Sequence, residues 1–210
     1  LILVDTGSED ASVKIAERKG YRVNSFTWVN DFSAARNYSL SLATNDWILV
    51  LDCDEYLESF SAEAMEALMQ KPESVGLITR KNVFTVDGNQ SSYTDLVGRF
   101  FHKKYYHYEA PIHEQLCKAD GSMDYQRVDM GLVVSHNGYN GTGEELRKKA
   151  TRNNDLLLSM LEKTPDDPYL LFQIGQSYRV LKDDEKASYY FGKGLEQDVD
   201  PDLHYVHLMV

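Results

Sequence analysis

Asp52-Cys53-Asp54-Glu55 follows five consecutive apolar residues, Trp47 to Leu51. A short apolar run of this kind fits a strand buried on both faces, as in the parallel sheet of an α/β domain. Ligands of such sheets gather beyond the carboxyl ends of the strands, where these acids fall. Two aspartates spaced i, i+2 past a strand end can turn toward one hard cation. Mg²⁺ and Mn²⁺ suit carboxylate oxygen and keep phosphate and water as further ligands. Taken alone, the four residues also fit a solvated acidic turn after a core strand.

Four further groups carry chemistry. Asp5-Thr6-Gly7-Ser8-Glu9-Asp10 places an acid at a strand end and a Gly-Ser turn before a helix. The Asp5 carboxylate can hold a polar group of a nucleoside, and the amides around Gly7 and Ser8 can face the ligand. Arg36, in Asp31-Phe32-Ser33-Ala34-Ala35-Arg36-Asn37, can reach a phosphate or a carboxylate of the Asp52 group. His113-Glu114 supplies a candidate general base beside a candidate metal or phosphate partner. His136, in Ser135-His136-Asn137-Gly138-Tyr139, can add a nitrogen ligand, which suits Mn²⁺ better than Mg²⁺. Each has a plain alternative: a common acid-Gly-Ser turn, an exposed helix arginine, a hydrogen-bonded structural histidine.

The elements that must position these groups follow from pattern. Residues 1–4 read as a strand, residues 11–19 as a helix with Ser8 or Asp10 as N-cap and Gly20 as its stop, and residues 21–26 as a second strand. Asn30-Asp31 caps a helix over residues 32–43, and the strand from Trp47 follows. This alternation predicts a parallel sheet with crossover helices. A helix over residues 62–71 stops before Pro72. Residues 75–86, an Asp87-Gly88 turn and residues 93–101 then predict a long hairpin. Further strand-like pieces are residues 105–108 and 128–135, with a turn at Asp120-Gly121 between them.

A helical regime begins near Gly143, with helices over residues 144–162, 169–181 and 184–196. Counted from Pro168, the positions of Leu171, Gly175, Tyr178, Ala187, Phe191 and Gly194 fall close to the tetratricopeptide pattern. One repeat cannot bury its own face, so it must lean on the preceding helix or continue past Val210. An ordinary helical hairpin is the alternative.

The 210 residues carry 42% hydrophobic and 11% aromatic residues, enough for a real core. The formal net charge of -11 disfavours a nucleic-acid partner and simple docking on anionic lipid. A small anionic ligand can still bind through a divalent cation, which inverts the local sign. Two cysteines, Cys53 and Cys117, make no disulfide framework and point to a reducing, cytoplasmic-type compartment. No apolar run approaches the roughly 18 residues of a membrane helix.

In order and spacing these residues resemble the family 2 glycosyltransferases, inverting enzymes of the GT-A fold. Val4-Asp5-Thr6-Gly7-Ser8-Glu9-Asp10 is similar to the family's nucleotide signature, and Asp52-Cys53-Asp54-Glu55 to its Asp-x-Asp motif. Arg99-Phe100-Phe101, His113-Glu114 and His136 with Gly138-Tyr139 resemble a bacterial subgroup, some members of which carry tetratricopeptide-like tails. The resemblance implies a GT-A-like, mostly parallel α/β sheet with flanking helices and a β-hairpin insertion over residues 1–142. A helical tail follows over residues 143–210. The family's first strand and helix are expected upstream of Leu1.

The implied activity is metal-dependent, inverting transfer of a sugar from a nucleotide-diphosphate sugar, with UDP-sugars the leading donors. The acceptor would be a saccharide, a lipid-linked saccharide or a peptide. On this resemblance Asp5, Gly7, Ser8, Arg36, Asp52 and Arg99 serve the nucleotide sugar. Asp54 and His136 ligate Mn²⁺ or Mg²⁺, and Glu114 acts as base with His113 as the alternative. The implied location is the cytoplasm or the inner face of the membrane. Two other readings stand beside it. One is a degenerate transferase serving as a tetratricopeptide-like scaffold. The other is a metal-dependent nucleotidyltransferase or phosphohydrolase, for which the chain lacks a Gly-x-x-x-x-Gly-Lys phosphate loop.

Overall fold

The computed structural model describes residues 1–86, 89–136 and 143–197. The expected Asp87-Gly88 turn and the residues Asn137, Gly138 and Tyr139 lie outside the described residues. The chain divides into two compact units, residues 1–140 and 141–210.

The first unit opens with β1 (Leu3–Asp5), α1 (Ser12–Arg18), β2 (Val23–Ser25) and α2 (Phe32–Ser41). β1 and β2 pair in parallel, as the β-α-β rhythm predicts. Neither Ser8 nor Asp10 is the cap of α1. That position is Ala11, which makes no side-chain cap bond, while Asp10 accepts the Ser12 amide. Asp31 does cap α2, accepting the Ala34 amide at 2.9 Å.

β3 (Trp47–Leu49), β4 (Glu55–Ser59), β5 (Val75–Val86), β6 (Asn89–His102) and β9 (Arg127–His136) form the central sheet, in the order β3-β6-β5-β9-β4. This corrects the expectation of a mostly parallel sheet: three of the four pairings are antiparallel, and only β5 with β9 is parallel. The apolar run at Trp47 reports burial, not the direction of its partner. Here the partner is an arm of the long hairpin, which lays Trp47 opposite His102 and Leu49 opposite Phe100. β7 (Tyr106–Glu109) and β8 (Gln115–Lys118) form a separate antiparallel ribbon. β4 and β8 have no counterpart in the sequence reading.

The core of this unit has two parts. One gathers Leu40, Val75, Phe101, Tyr106, Tyr108 and Leu116. The other gathers Leu68, from α3 (Ala62–Met69), with Ile78, Phe100, Met130, Leu132 and Val134. The sheet's inward residues thus feed both. No helix among the described residues is long and apolar enough to cross a membrane.

The second unit contains α4 (Gly143–Leu161), α5 (Pro168–Leu181) and α6 (Asp184–Leu195). Asp167 caps α5 through the Tyr169 and Leu170 amides, with Pro168 in the first turn. Lys182, in the left-handed region at φ 61, ends α5 and turns the chain into α6. Gly175 on α5 meets Phe191 on α6. A Cβ at Gly175 would lie 2.3 Å from the Phe191 ring.

Gly175→Ala should therefore destabilise the helical unit by up to about 2 kcal/mol. Overpacking costs about 1–3 kcal/mol, and the better helix propensity of Ala offsets about 1 of it. Thermal denaturation followed by circular dichroism measures this, and adding Phe191→Leu should recover most of the loss.

Candidate active site

Asp52 lies just beyond β3, and its carboxylate is gripped from two sides. Arg99 of β6 donates to Oδ2 at 2.7 Å and to Oδ1 at 3.3 Å, and Arg36 of α2 donates to Oδ1 at 2.9 Å. A bidentate arginine and a second one favour the charged form more than partial burial opposes it, so the Asp52 carboxyl is held well below the usual carboxylate range. Its own amide donates to Glu55 Oε2 at 2.8 Å. The Glu55 side chain is fully buried, and its Oε1 faces Arg99 at 3.4 Å and Arg80 at 3.8 Å.

The other end of Arg36 donates through Nε to Glu114 at 2.5 Å. Arg36 therefore ties together the two sequence motifs around Asp52 and Glu114, which lie 62 residues apart by numbering. Both partners hold its guanidinium well above the ordinary arginine range, against the opposing effect of burial. Its neighbour Asn37 fixes α2 to β7, accepting the Tyr108 amide and donating to the Tyr108 carbonyl, both at 2.8 Å.

The loop that leads to Glu114 has two non-glycine residues in the left-handed region, Ala110 at φ 74 and His113 at φ 54. Such strain costs about 1–3 kcal/mol per residue and collects at functional sites. The His113 imidazole is crowded enough by protein to sit below its ordinary value, with Glu114 opposing the shift. Tyr108 is buried beside this group, with the Arg36 guanidinium 5.4 Å from its ring centre. Burial pushes its phenol up to about 12, and its hydroxyl has no hydrogen-bond partner among the described residues.

Asp54 points elsewhere. Its Oδ2 lies 3.2 Å from His136 Nε2, at the end of β9, and its side chain is 48% exposed. His136 Nδ1 meets Asn82 Oδ1 at 2.9 Å. Among the described residues, no group of three or more His, Cys, Asp or Glu side chains converges to hold a metal ion. The Asp54–His136 pair nonetheless fits two positions of a cation shell. Two ligands about 2.1 Å from one octahedral ion stand about 3 Å apart. Three arginines (Arg36, Arg80, Arg99) pair with four carboxylates (Asp52, Glu55, Asp95, Glu114), and Asp54 meets His136 instead.

The sequence-derived residues thus fall into three groups. Arg36, Asp52, Arg99 and Glu114 are joined by direct ion pairs, and His113 adjoins Glu114. Asp54 and His136 form their own pair. Asp5 is exposed after β1, and its carboxylate accepts the amides of Gly7 and Ser8 in a local turn. None of the hydrogen bonds or ion pairs described here joins this turn to the other groups. The sequence reading missed Arg80, Asn82 and Asp95, and gave Glu55 no role. The available signal was a pair at i, i+2, Arg80 and Asn82, which places two polar side chains on the same face of one strand.

Removing the Asp52 charge should show as lost acid sensitivity. A depressed native-state pKa contributes stability above the unfolded value near 4, and that contribution fades as pH falls below it. Asp52→Asn should therefore cost about 1–3 kcal/mol near pH 7, a range reduced for the carboxylate's partial exposure. The gap to the wild type should close toward pH 2. Urea denaturation across pH measures both.

The family model described as glycosyl transferase family 2 matches residues 1–120. A TPR repeat-containing protein of Synechococcus elongatus is 29% identical over 203 residues, covering 94% of this chain and 50% of its own length. The SPbeta prophage-derived glycosyltransferase SunS of Bacillus subtilis is 27% identical over 216 residues, covering 100% of this chain and 50% of its own. An uncharacterized glycosyltransferase of Rickettsia conorii is 35% identical over 66 residues, covering 31% of this chain and 23% of its own. The chain spans about half the length of the first two relatives. With its acidic motif, its arginine-clamped Asp52 and its matched residues 1–120, the chain belongs to glycosyl transferase family 2.

Proposed function

We propose that this chain carries the reacting centre of a sugar transferase. It moves a glycosyl group from a nucleotide-diphosphate sugar, with UDP-sugars as the leading donors, to an acceptor hydroxyl or other nucleophile by a metal-dependent inverting displacement. The observation that carries this reading is the approach of Asp54 Oδ2 to His136 Nε2 beside an arginine-ordered acidic motif, in a family 2 chain. Asp54 and His136 would hold Mn²⁺ or Mg²⁺. When bound, that ion supplies positive charge against the diphosphate as the sugar leaves.

The remaining roles follow from each group's partners. Arg36 and Arg99 hold Asp52 in one orientation, so that its outer edge can meet the ribose. Asp5, with the Gly7 and Ser8 amides already turned onto it, presents a carboxylate to the base region. Glu114 is the proposed proton acceptor for the attacking hydroxyl. Arg36 fixes its direction through one oxygen. His113, whose neutral form is favoured by the surrounding protein, is the second candidate for that proton. The acceptor oxygen attacks the anomeric carbon as the bond to the diphosphate breaks, and its proton passes to the protein.

Residues 1–142 would form the transferase domain and residues 143–210 a tetratricopeptide-like tail. The packing of Gly175 on Phe191 supports such a tail, as does the likeness to the TPR repeat-containing protein of Synechococcus elongatus. A second reading, a scaffold whose transferase half is inactive, draws on that same tail.

Calorimetric titration with UDP and GDP, with and without Mn²⁺, tests the proposal. One nucleotide should bind more tightly with Mn²⁺, and Asp54→Ala should abolish that gain and lower transfer by 10²-fold or more, on the order of one lost electrostatic group. Unchanged Mn²⁺-dependent binding in Asp54→Ala would sink the proposal. The base assignment predicts that Glu114→Gln loses the acidic limb of the pH–rate profile, while His113→Ala keeps it.

A further inference from the structure

The metal-binding reading of Asp54 and His136 leaves one question of chemistry open: which imidazole nitrogen carries the hydrogen. The sheet answers it. Asn82 on β5 stands opposite His136 on β9, and Glu55 on β4 stands opposite the same histidine from the other side. Two residues earlier on β5, Arg80 faces Asp95 of β6. Arg80 holds Asp95 with both prongs, Nε to Oδ1 at 3.1 Å and Nη2 to Oδ2 at 2.6 Å. Asp95 Oδ1 also receives Asn82 Nδ2 at 3.0 Å.

An ionised carboxylate only accepts hydrogen bonds, so the Asn82 amide must turn its NH₂ toward Asp95. That leaves its carbonyl oxygen, which also only accepts, against His136 Nδ1 at 2.9 Å. Nδ1 must therefore be the N–H donor. In the neutral ring Nε2 is then a lone pair, and it faces Asp54 Oδ2, another acceptor, at 3.2 Å. Two acceptors at that distance repel unless a cation or a proton lies between them, and without either the half-exposed Asp54 carboxylate can turn to water. Asn82 is fully buried in the middle of the sheet, so its amide can turn round only if it gives up the Asp95 bond.

We propose that Asn82, locked by Asp95 and Arg80, is a positioning residue that fixes His136 as the Nδ1–H tautomer and so aims its Nε2 lone pair, with Asp54, at a divalent cation. This rests on the metal-binding reading above and adds the groups that orient its nitrogen ligand. Such outer partners set ring orientation and ligand basicity, and their loss typically lowers metal affinity 10–100-fold.

The test uses the full chain with ¹⁵N-labelled histidine, metal-free, at a pH of about 8.5, where imidazoles are neutral. Long-range ¹H–¹⁵N correlation reads the tautomer, and the His136→Gln variant assigns the signal. The wild type should carry its hydrogen on Nδ1. Asn82→Leu should shift the ring toward the Nε2–H form and lower Mn²⁺ affinity, read from the free-Mn²⁺ paramagnetic resonance signal, on the order of 10–100-fold. Asp95→Ala, at a part-exposed position, should do the same by removing the oxygen that receives the Asn82 amide, and it covers the case in which Asn82→Leu fails to fold.

A wild-type ring protonated on Nε2 overturns the proposal. So does a folded variant that keeps both the wild-type tautomer and the wild-type Mn²⁺ affinity. Mn²⁺ binding equal in wild type and His136→Gln overturns it as well. The expected tautomer and Mn²⁺ affinity in a chain that transfers no sugar would support this inference and count against the proposed activity alone.

Discussion

The site depends on one carboxylate that cannot be left unpaired. Asp52 is partly buried at the end of β3, and its two oxygens take three N–H bonds from Arg36 and Arg99. Breaking such a pair leaves a stranded charge, which typically costs about 3–5 kcal/mol when fully buried. The elements that bring the arginines are therefore constrained together: α2 must dock so that Arg36 reaches both Asp52 and Glu114, and β6 must register so that Arg99 reaches Asp52 and Glu55. Asn37 reinforces the first docking by replacing a strand partner for the backbone of Tyr108.

The same network gives the two acids of the Asp-x-Asp pattern different partners. Asp52 turns inward to arginines, while Asp54 turns outward to His136 and stays half exposed. Cys53 between them is exposed and takes part in neither contact. Alternation around a tight turn is what lets two like charges sit two residues apart without facing each other, Asp52 toward the arginines and Asp54 toward His136. Glu55, next in line, is fully buried and bonds the Asp52 amide, so the acidic tetrad is a folded turn and not a solvated one.

Much of the first unit was legible in the sequence: α1, α2, α3, the long hairpin and β9 fall where pattern and breakers put them. The capping aspartate at Asp31 and the stop at Gly20 were read correctly because caps are local chemistry. The cap of α1 was misread because two polar residues competed for it and the chain used neither. The sheet's direction was misread because strand partners are chosen by long-range register, which a local apolar run does not encode. The short strands β4 and β8 escaped for a related reason: Tyr56 and Leu57 of β4 are exposed, so no inward-outward alternation marks that strand.

By itself, the sequence determined which donor and acceptor groups the chain carries and in what order. The acids after Trp47–Leu51, the adjacent His113-Glu114 and the strand-ending His136 announced themselves by type and spacing, because donor atoms and their order are covalent facts. Only the tertiary structure decided who pairs with whom. It put Arg36 between Asp52 and Glu114, closed Arg99 onto Asp52, and set Asn82 against His136 across two strands. Those pairings join residues tens of positions apart, and their geometry is fixed by sheet register and helix docking, which depend on how the whole core packs.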